Sequence, residues 1–326
     1  MGFWEEKEVL VTGGAGFIGS HLVEILVKSG AKVTVADSME NGNLQNLSSV
    51  SKKIKLVKKD LRILSNCVNV SKDSEIVMNL AAIVGGVGYN QVHPGSMFHD
   101  NILLSTQMLE AARINDAERF LAVSSACVYP RFCAIPTPES EGFKDSPEPS
   151  NAGYGWAKRM AEFAAQSYAQ EYGMKIAIAR PYNTYGPRDH FEKERAHVIP
   201  SIMMRIFGGE NPLVVWGNGK QSRSFVYVED VARGLALITE KFPEAIPLNI
   251  GTDEEVEIGK LVSMLVSLSG KKTEISFDES KPSGQPRRNA DTSLAKEKIG
   301  FTAKVSLKEG LKNSIDWYVK NKLDAK

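Results

Sequence analysis

The sequence predicts an α/β protein, a doubly wound parallel sheet with a smaller C-terminal portion. Three observations carry that expectation. Short β-rich runs alternate with longer helical patterns through the first half of the chain. A glycine-rich turn joins the first strand to the first helix. After about Asn183 the alternation gives way to charged and Pro/Ser-containing stretches.

Taken in order, "EVLVTG" reads as a strand and "IGSHLVEILVKSG" as a helix that Gly30 stops, glycine being favoured just past a helix end. "KVTVAD" and "KIKLVKKD" read as the second and third strands. "SEIVMNLAA" and "RFLAVSSA" are further strands, separated by the helical "NILLSTQMLEAARIN". The long helix "YGWAKRMAEFAAQSYAQEYG" leads into the strand "KIAIARPYN". Then "GPRDHFEKERAHVIP" reads as a loop and "SIMMRIFGGE" as a short helix. "PLVVWGNGKQSRSFVYVEDVARGLALI" returns to strand and helix, and "LKEGLKNSIDWYVKN" is a last helix after a polar Pro/Ser/Arg stretch. The organisation expected is a parallel-sheet domain over 1–183 with a return segment near 218–245, and a smaller portion mainly over 184–326.

Bulk properties narrow the function class. The chain has 326 residues, 42% hydrophobic and 24% charged, with a formal net charge of +1. Near-zero charge supplies no global field toward nucleic acid or an anionic membrane. No apolar run reaches the ~18 residues of a membrane span. The N-terminal apolar run is short and acidic-flanked, unlike a signal peptide. Three cysteines without a CxxC pair and five scattered histidines argue against structural zinc and for a reducing, cytoplasmic setting.

In "VLVTGGAGFIGSHLVEIL", Gly13, Gly16 and Gly19 lie at a strand-to-helix turn, with Phe17 and Ile18 opening the helix. Such a turn needs glycine to bend tightly, to admit a pyrophosphate and to pack helix on strand, with the phosphate at the positive helix end. Asp37 ends the second strand, where a carboxylate binds ribose hydroxyls and repels a 2′-phosphate. NAD is therefore expected over NADP. "KKDLR" suggests Asp60 and Leu61 beside the adenine.

In "YGWAK", Tyr154 and Lys158 are four residues apart and share one helical face. An ammonium beside a phenol lowers the phenol's pKa. Tyr154 is thus expected to exchange a proton with a sugar hydroxyl during hydride transfer. Ser125, at the end of the preceding strand, can bond the same oxygen.

Together TGGAGFIG, Asp37, "NLAA", Ser125, Tyr154-xxx-Lys158 and "RPYNTYGP" resemble the extended short-chain dehydrogenase/reductase family of nucleotide-sugar epimerases, dehydratases and reductases, over nearly the whole chain. The resemblance implies a Rossmann domain, a C-terminal nucleotide-sugar site and a homodimer paired through two helices of each subunit. It also implies Leu80, Ala81 and Ala82 beside the cofactor, and Asn183 beside the substrate. Within the family, "AAIVGGVGYN", "SSACVYP", "AHVIPSIMMRI" and "WGNGKQSRSFVYVEDVA" resemble the GDP-mannose 3,5-epimerase and GDP-fucose synthase branches. By that resemblance Gly85, Gly86 and Trp216 face the substrate, Arg223 grips the diphosphate, and Arg287 (of the pair Arg287–Arg288) assists, with Arg205 a further candidate. His197 leans toward the synthase branch, the other motifs toward the 3,5-epimerase branch.

A 3,5-epimerase oxidises C4 to a ketone, which acidifies the C3 and C5 hydrogens, and then needs two groups to exchange protons. Cys127 and His197 are the candidates, since a thiolate and an imidazole can both work near neutral pH; which is base and which is acid stays open. Free cysteine is also a common core residue. Rival expectations are a reductase of the fucose-synthase kind, a simple 4-epimerase with an inert Cys127, and a non-catalytic NAD-binding scaffold. Cys67, Cys133, His21, His93 and His99 are expected to be structural.

Overall fold

The computed structural model describes residues 2–193, 196–281 and 285–323. In chain order the first half gives β1 (Glu8–Thr12), α1 (Phe17–Lys28), β2 (Lys32–Asp37), β3 (Ile54–Lys58), α2 (Leu64–Ser71), β4 (Ile76–Asn79), α3 (Val87–Val92), α4 (Pro94–Ile114), β5 (Arg119–Val123), α5 (Ala152–Tyr172) and β6 (Lys175–Pro181). The second half gives β7 (Thr184–Tyr185), α6 (Val198–Phe207), β8 (Leu213–Trp216), β9 (Ser222–Ser224), β10 (Val226–Tyr227), α7 (Val228–Lys241) and β11 (Glu244–Ile250). It continues with β12 (Glu255–Glu257), α8 (Ile258–Ser269), β13 (Ile275–Asp278), β14 (Arg287–Arg288), α9 (Ser293–Ile299) and α10 (Leu307–Tyr318).

Seven of the described strands form one parallel sheet in the order β3-β2-β1-β4-β5-β6-β11. Its central strands are apolar on both faces because both faces are covered. Val9, Val11, Ile76, Met78, Ala177 and Ala179 pack under α1, α7 and α9. The alternate residues Leu10, Val77, Ile176 and Ile178 pack under α2, α4 and α5. A separate apolar cluster joins α6, α8 and α10 with β8 and Phe225. Strand order reverses between β1 and β4, so the crevice at their C-terminal ends is where such a sheet receives a ligand.

The seventh strand lies outside the runs read from the sequence. β11 carries Pro247 and a register shift between Glu244 and Pro247, which breaks the alternating pattern. Both features are tolerated at a sheet edge, the position β11 occupies. The segment that rejoins the sheet is therefore α7 with β11, ending at Ile250. β8 pairs with β13 in a small sheet of its own. At the other edge, β3 presents Lys55 and Lys58, charges that discourage edge-to-edge pairing.

Under the C-terminal end of β5 lies a buried ion pair. Arg180 on β6 donates from Nε to Glu162 Oε1 at 2.9 Å and from Nη2 to Oε2 at 2.7 Å, with both side chains at most 1% exposed. Ser124 Oγ donates to the same carboxylate. Arg180 Nη1 also donates to Tyr129 Oη (3.0 Å), and the Tyr129 hydroxyl donates to Asn249 on β11. Asn249 Nδ2 donates onward to the carbonyls of Thr137 and Asp291. One polar network thus ties α5, β6 and β11 to the segment after β5. Arg180→Met strands the Glu162 carboxylate in the core and is expected to cost about 3–5 kcal/mol by urea denaturation. The double variant with Glu162→Leu recovers much of that loss, and an additive double variant would contradict the coupling.

Candidate active site

The glycine turn shows why its residues are glycines. Gly13 has φ +64°, and a Cβ there would stand 3.0 Å from the backbone of Leu80 and Ala81. A Cβ on Gly19 would lie 2.2 Å from the Gly13 carbonyl oxygen, so α1 could not approach β1. Gly16 precedes α1 with no side-chain cap, and the first turn, with Phe17 and Ile18, has no acidic residue. Uncapped amides at a helix N-terminus suit a diphosphate. Asp37 is buried and accepts from Ala15 N at 3.0 Å through Oδ2 and from Met39 N at 2.9 Å through Oδ1. It thus fixes the turn while each oxygen keeps a second lone pair for a hydroxyl.

Leu80, Ala81 and Ala82 follow β4 and face the same turn. Thr12 Oγ1 accepts from Leu80 N (3.1 Å) and Ala81 N (3.0 Å) and donates to Asn79. Asp60 is gripped by Arg62, whose Nε and Nη2 reach both carboxylate oxygens. That ion pair holds its carboxyl below the usual range. Leu61 is buried in the core beneath α2, with its carbonyl accepting from Cys67 Sγ. These features fit a dinucleotide along the C-terminal ends of β1, β2 and β4.

The segment after β5 gathers four of the predicted groups. Ser125 starts a single 3-10 turn over Ala126–Val128, and its Oγ accepts from Cys127 N at 3.1 Å. Tyr154 is buried beside it, with Ser125 as its hydroxyl's partner and Cys127 as a neighbour. Lys158 Nζ donates to the Val123 carbonyl at 2.8 Å and lies 5.6 Å from the Tyr154 ring centroid. Cys127 is half-buried and unbridged. Helix α5 reaches this turn because Gly155 has no side chain; a Cβ there would lie 2.7 Å from the Cys127 carbonyl oxygen.

The electrostatics differ from the expectation drawn from the Tyr-xxx-Lys spacing. Burial pushes the Tyr154 phenol up, with Cys127 adding in the same direction and Ser125 opposing. Burial also pulls Lys158 down to about 8, against the pull of Cys127 and Glu162. Desolvation of both groups outweighs their proximity, so the protein alone does not lower the phenol's pKa.

His197 stands apart from this group, at the N-terminus of α6. Burial opposes a charge on it, but the Asp189 carboxylate, 3.5 Å from Nδ1, outweighs that and raises its pKa.

The arginines divide by strand geometry. Arg288 and Arg223 are register partners on the parallel strands β14 and β9. Residues paired in this way share one face, so two like charges stand side by side. Burial and then Arg288 pull Arg223 down to about 10. Arg288 Nη2 donates to the Ala126 carbonyl, beside Cys127. Arg287 points to the other face and is bound by Glu255 through Nε (2.7 and 3.0 Å) and Nη2 (2.7 Å). The sequence reading took Arg287 as the anion-binding member of the pair, whereas alternation along β14 brings Arg288 to the Ser125–Cys127 turn. Arg205 is likewise engaged, with Nε on Glu210 at 2.7 Å and Nη2 on Glu210 and the Val214 carbonyl.

Gly85 and Gly86 lie in the loop after β4, which Asn101 pins through both backbone groups of Ile83 at 3.0 Å. A Cβ on Gly85 would meet the Tyr89 ring, and Gly86 precedes α3. Asn183, after β6, donates to the Ser224 carbonyl at 2.8 Å. Trp216 ends β8 and is 59% exposed.

The residues expected to be structural have the following surroundings. Cys67 is buried, with its thiol pushed up to about 12 by burial. His21 is buried against the Pro187 carbonyl (3.1 Å) and pulled down to about 4 by burial and Arg188. His93 packs on Tyr89, His99 bonds Asp100, and Cys133 contacts Thr137. Sequence reasoning missed Asp189, eight residues before His197 in a charged loop with no periodicity to mark it. It also missed Glu162, whose place on α5 one turn after Lys158 was the available signal. Among the described residues no helix is long and apolar enough to cross a membrane, and no cluster of three or more His, Cys, Asp or Glu side chains could hold a metal.

Comparison with known proteins agrees with this geometry. The chain is 33% identical to GDP-mannose 3,5-epimerase of Arabidopsis thaliana over 322 residues, covering 97% of this chain and 83% of that one. It is 30% identical to GDP-L-fucose synthase 1 of the same plant, covering 97% and 94%. The crystal structure of UDP-glucose 4-epimerase from Thermotoga maritima with UDP-glucose superposes with a TM-score of 0.87 at 31% identity, covering 96% of this chain and 98% of that one. The profile of the NAD dependent epimerase/dehydratase family matches residues 9–251. The chain belongs to the NAD-dependent epimerase/dehydratase family.

Proposed function

We propose that the protein is a nucleotide-sugar epimerase of the GDP-mannose 3,5-epimerase kind. The observation that carries this reading is the half-buried Cys127 thiol set in one turn with Ser125, beside Tyr154 and Lys158. A simple C4 inversion needs only the last three; a thiol at that place serves a carbon acid. When bound, NAD supplies the two-electron redox chemistry and the positive ring charge that favours a phenolate. Gly13, Gly16, Phe17, Ile18 and Gly19 would hold its diphosphate, Asp37 its ribose, and Leu80–Ala82 the floor of the crevice. Tyr154 accepts the C4 hydroxyl proton, with Ser125 bonding the same oxygen, and returns it when the ketone is reduced. Between those steps Cys127 and His197 remove and deliver a proton at C3 or C5, so the sugar is inverted without net redox change. Arg223 and Arg288 bracket the substrate diphosphate, a task for which a planar guanidinium is suited. A fucose-synthase-like 3,5-epimerase/4-reductase is the second reading, favoured by His197.

The apolar face shared by α4 and α5 supports assembly. Phe98, Trp156 and Phe163 are 39%, 39% and 60% exposed there, beside Met160 and Gly153. One face that pairs with itself across a two-fold axis makes a dimer, and we assign this face to a second copy of the chain in a cytoplasmic homodimer.

Incubated with GDP-mannose in D2O without reductant, the protein is expected to place deuterium at C3 or C5, read by NMR. Inversion at C4 alone would overturn the role of Cys127, and turnover only with a 4-keto sugar and reduced cofactor would favour the second reading. Cys127→Ser is expected to lose exchange by a factor of about 10² or more while still reducing NAD with substrate. Arg288→Ala is expected to weaken nucleoside-diphosphate binding about tenfold or more by calorimetry, from the loss of a charge-assisted bond. Arg287→Ala leaves it within about twofold, on the scale of an exposed ion pair; the reverse ranking would return Arg287 to the site. Phe163→Glu is expected to convert a dimer to a monomer in light scattering, and a wild-type monomer would remove the assembly.

A further inference from the structure

The loop between β7 and α6 holds a carboxylate that no step above uses. Asp189 has a side chain 1% exposed. Its Oδ1 accepts from His190 N at 2.7 Å and lies 3.5 Å from His197 Nδ1. Its Oδ2 is buried with no hydrogen-bond partner. A carboxylate in that state is costly unless a cation faces it. The preceding residue does not serve: Arg188 is drawn away to Glu24 on α1, Nη2 to Oε1 at 2.7 Å. His21, also on α1, is pulled down to about 4 and bonds the Pro187 carbonyl. Glu192 and Lys193, farther along the loop, are exposed. Among the described residues, His197, half-exposed and at the start of α6, is the cation-forming side chain that lies within 4 Å of that carboxylate.

We infer that Asp189 is a positioning residue that fixes His197 with its Nδ1 proton toward the carboxylate, leaving Nε2 as the nitrogen that meets a substrate proton. The inference rests on the reading of His197 as one of the two proton-exchanging groups. A second ring nitrogen held by an acceptor determines the tautomer and the charge of an imidazole. The 3.5 Å separation suits a contact that tightens when substrate closes over it. The placement is rigid because Arg188 (φ +70°) is pinned to α1, the helix that the cofactor turn opens. Sign follows from charge: removing the carboxylate disfavours imidazolium, so the titration midpoint moves to lower pH.

Full-length protein labelled with 15N-histidine tests this without substrate, with the His197 signal assigned by its loss in His197→Gln. At high pH the wild-type ring is expected as the Nδ1–H tautomer, and in Asp189→Asn its midpoint falls. An Nε2–H tautomer in the wild type, or an unmoved midpoint in Asp189→Asn, would overturn the proposal. The tautomer measurement decides it even if the variant does not fold. With GDP-mannose in D2O, Asp189→Asn is expected to lower C3/C5 exchange roughly ten- to a hundredfold and to shift the pH profile of exchange, with NAD reduction kept. No exchange by the wild type would overturn the GDP-mannose reading, and the imidazole titration would still decide the role of Asp189.

Discussion

The buried Glu162–Arg180 pair is the interaction on which the geometry of the site depends. It joins the middle of α5 to β6 directly beneath the turn that carries Ser125 and Cys127. Ser124 is fastened to the same carboxylate, and Tyr129 to the same guanidinium. Tyr154 and Lys158 project from the same helix as Glu162, two turns and one turn earlier. The spacing between strand end and helix is therefore set by a bidentate pair of fixed length rather than by apolar packing alone, which tolerates sliding. Its desolvation is offset only while both partners and the Asn249 branch remain in place.

The same low-dielectric setting explains the electrostatics above the pair. A phenol and an ammonium placed together in water would help each other ionise in the expected way. Buried, each pays to be charged, and the protein alone leaves Tyr154 raised and Lys158 lowered. A site in that state is primed for a partner that brings charge with it. The two arginines on β9 and β14 follow the same logic: burial and the adjacent Arg288 disfavour the charge on Arg223, and Glu255 opposes them.

How much of this was legible in the sequence depended on the range of the interaction. The glycine turn, Asp37 and the Tyr154–Lys158 spacing are local patterns, and local geometry suffices to place them. Six parallel strands were legible for the same reason, since each is a short apolar run between breakers. The seventh was not, because Pro247 and a register shift disguise an edge strand. The choice between Arg287 and Arg288 turned on which face of a two-residue strand looks inward, a fact fixed by pairing with β9 and by no property of the pair itself. The direction of the Tyr154 shift needed burial, which spacing does not report. Asp189 and His197 are eight residues apart in the chain, and no sequence periodicity links carboxylate to imidazole.

These limits bear on what separates this chain from its relatives. Ser125 lies just past a sheet strand, and Tyr154 and Lys158 lie on one helix, α5. On the proposed reading a carbon-acid enzyme needs a second proton-exchanging group facing the sugar from the other side, and the candidate for it, His197, stands at the start of α6, outside the sheet. The α6 cluster has its own apolar core, distinct from those on the sheet. The loop before α6 is tied to the sheet side by Arg188, which donates to Glu24 on α1. A helix anchored there can present histidine or another cation-forming residue without disturbing the nucleotide fold. On the proposed reading, substrate chemistry can thus change at the start of α6 while the hydride chemistry at the sheet ends stays fixed.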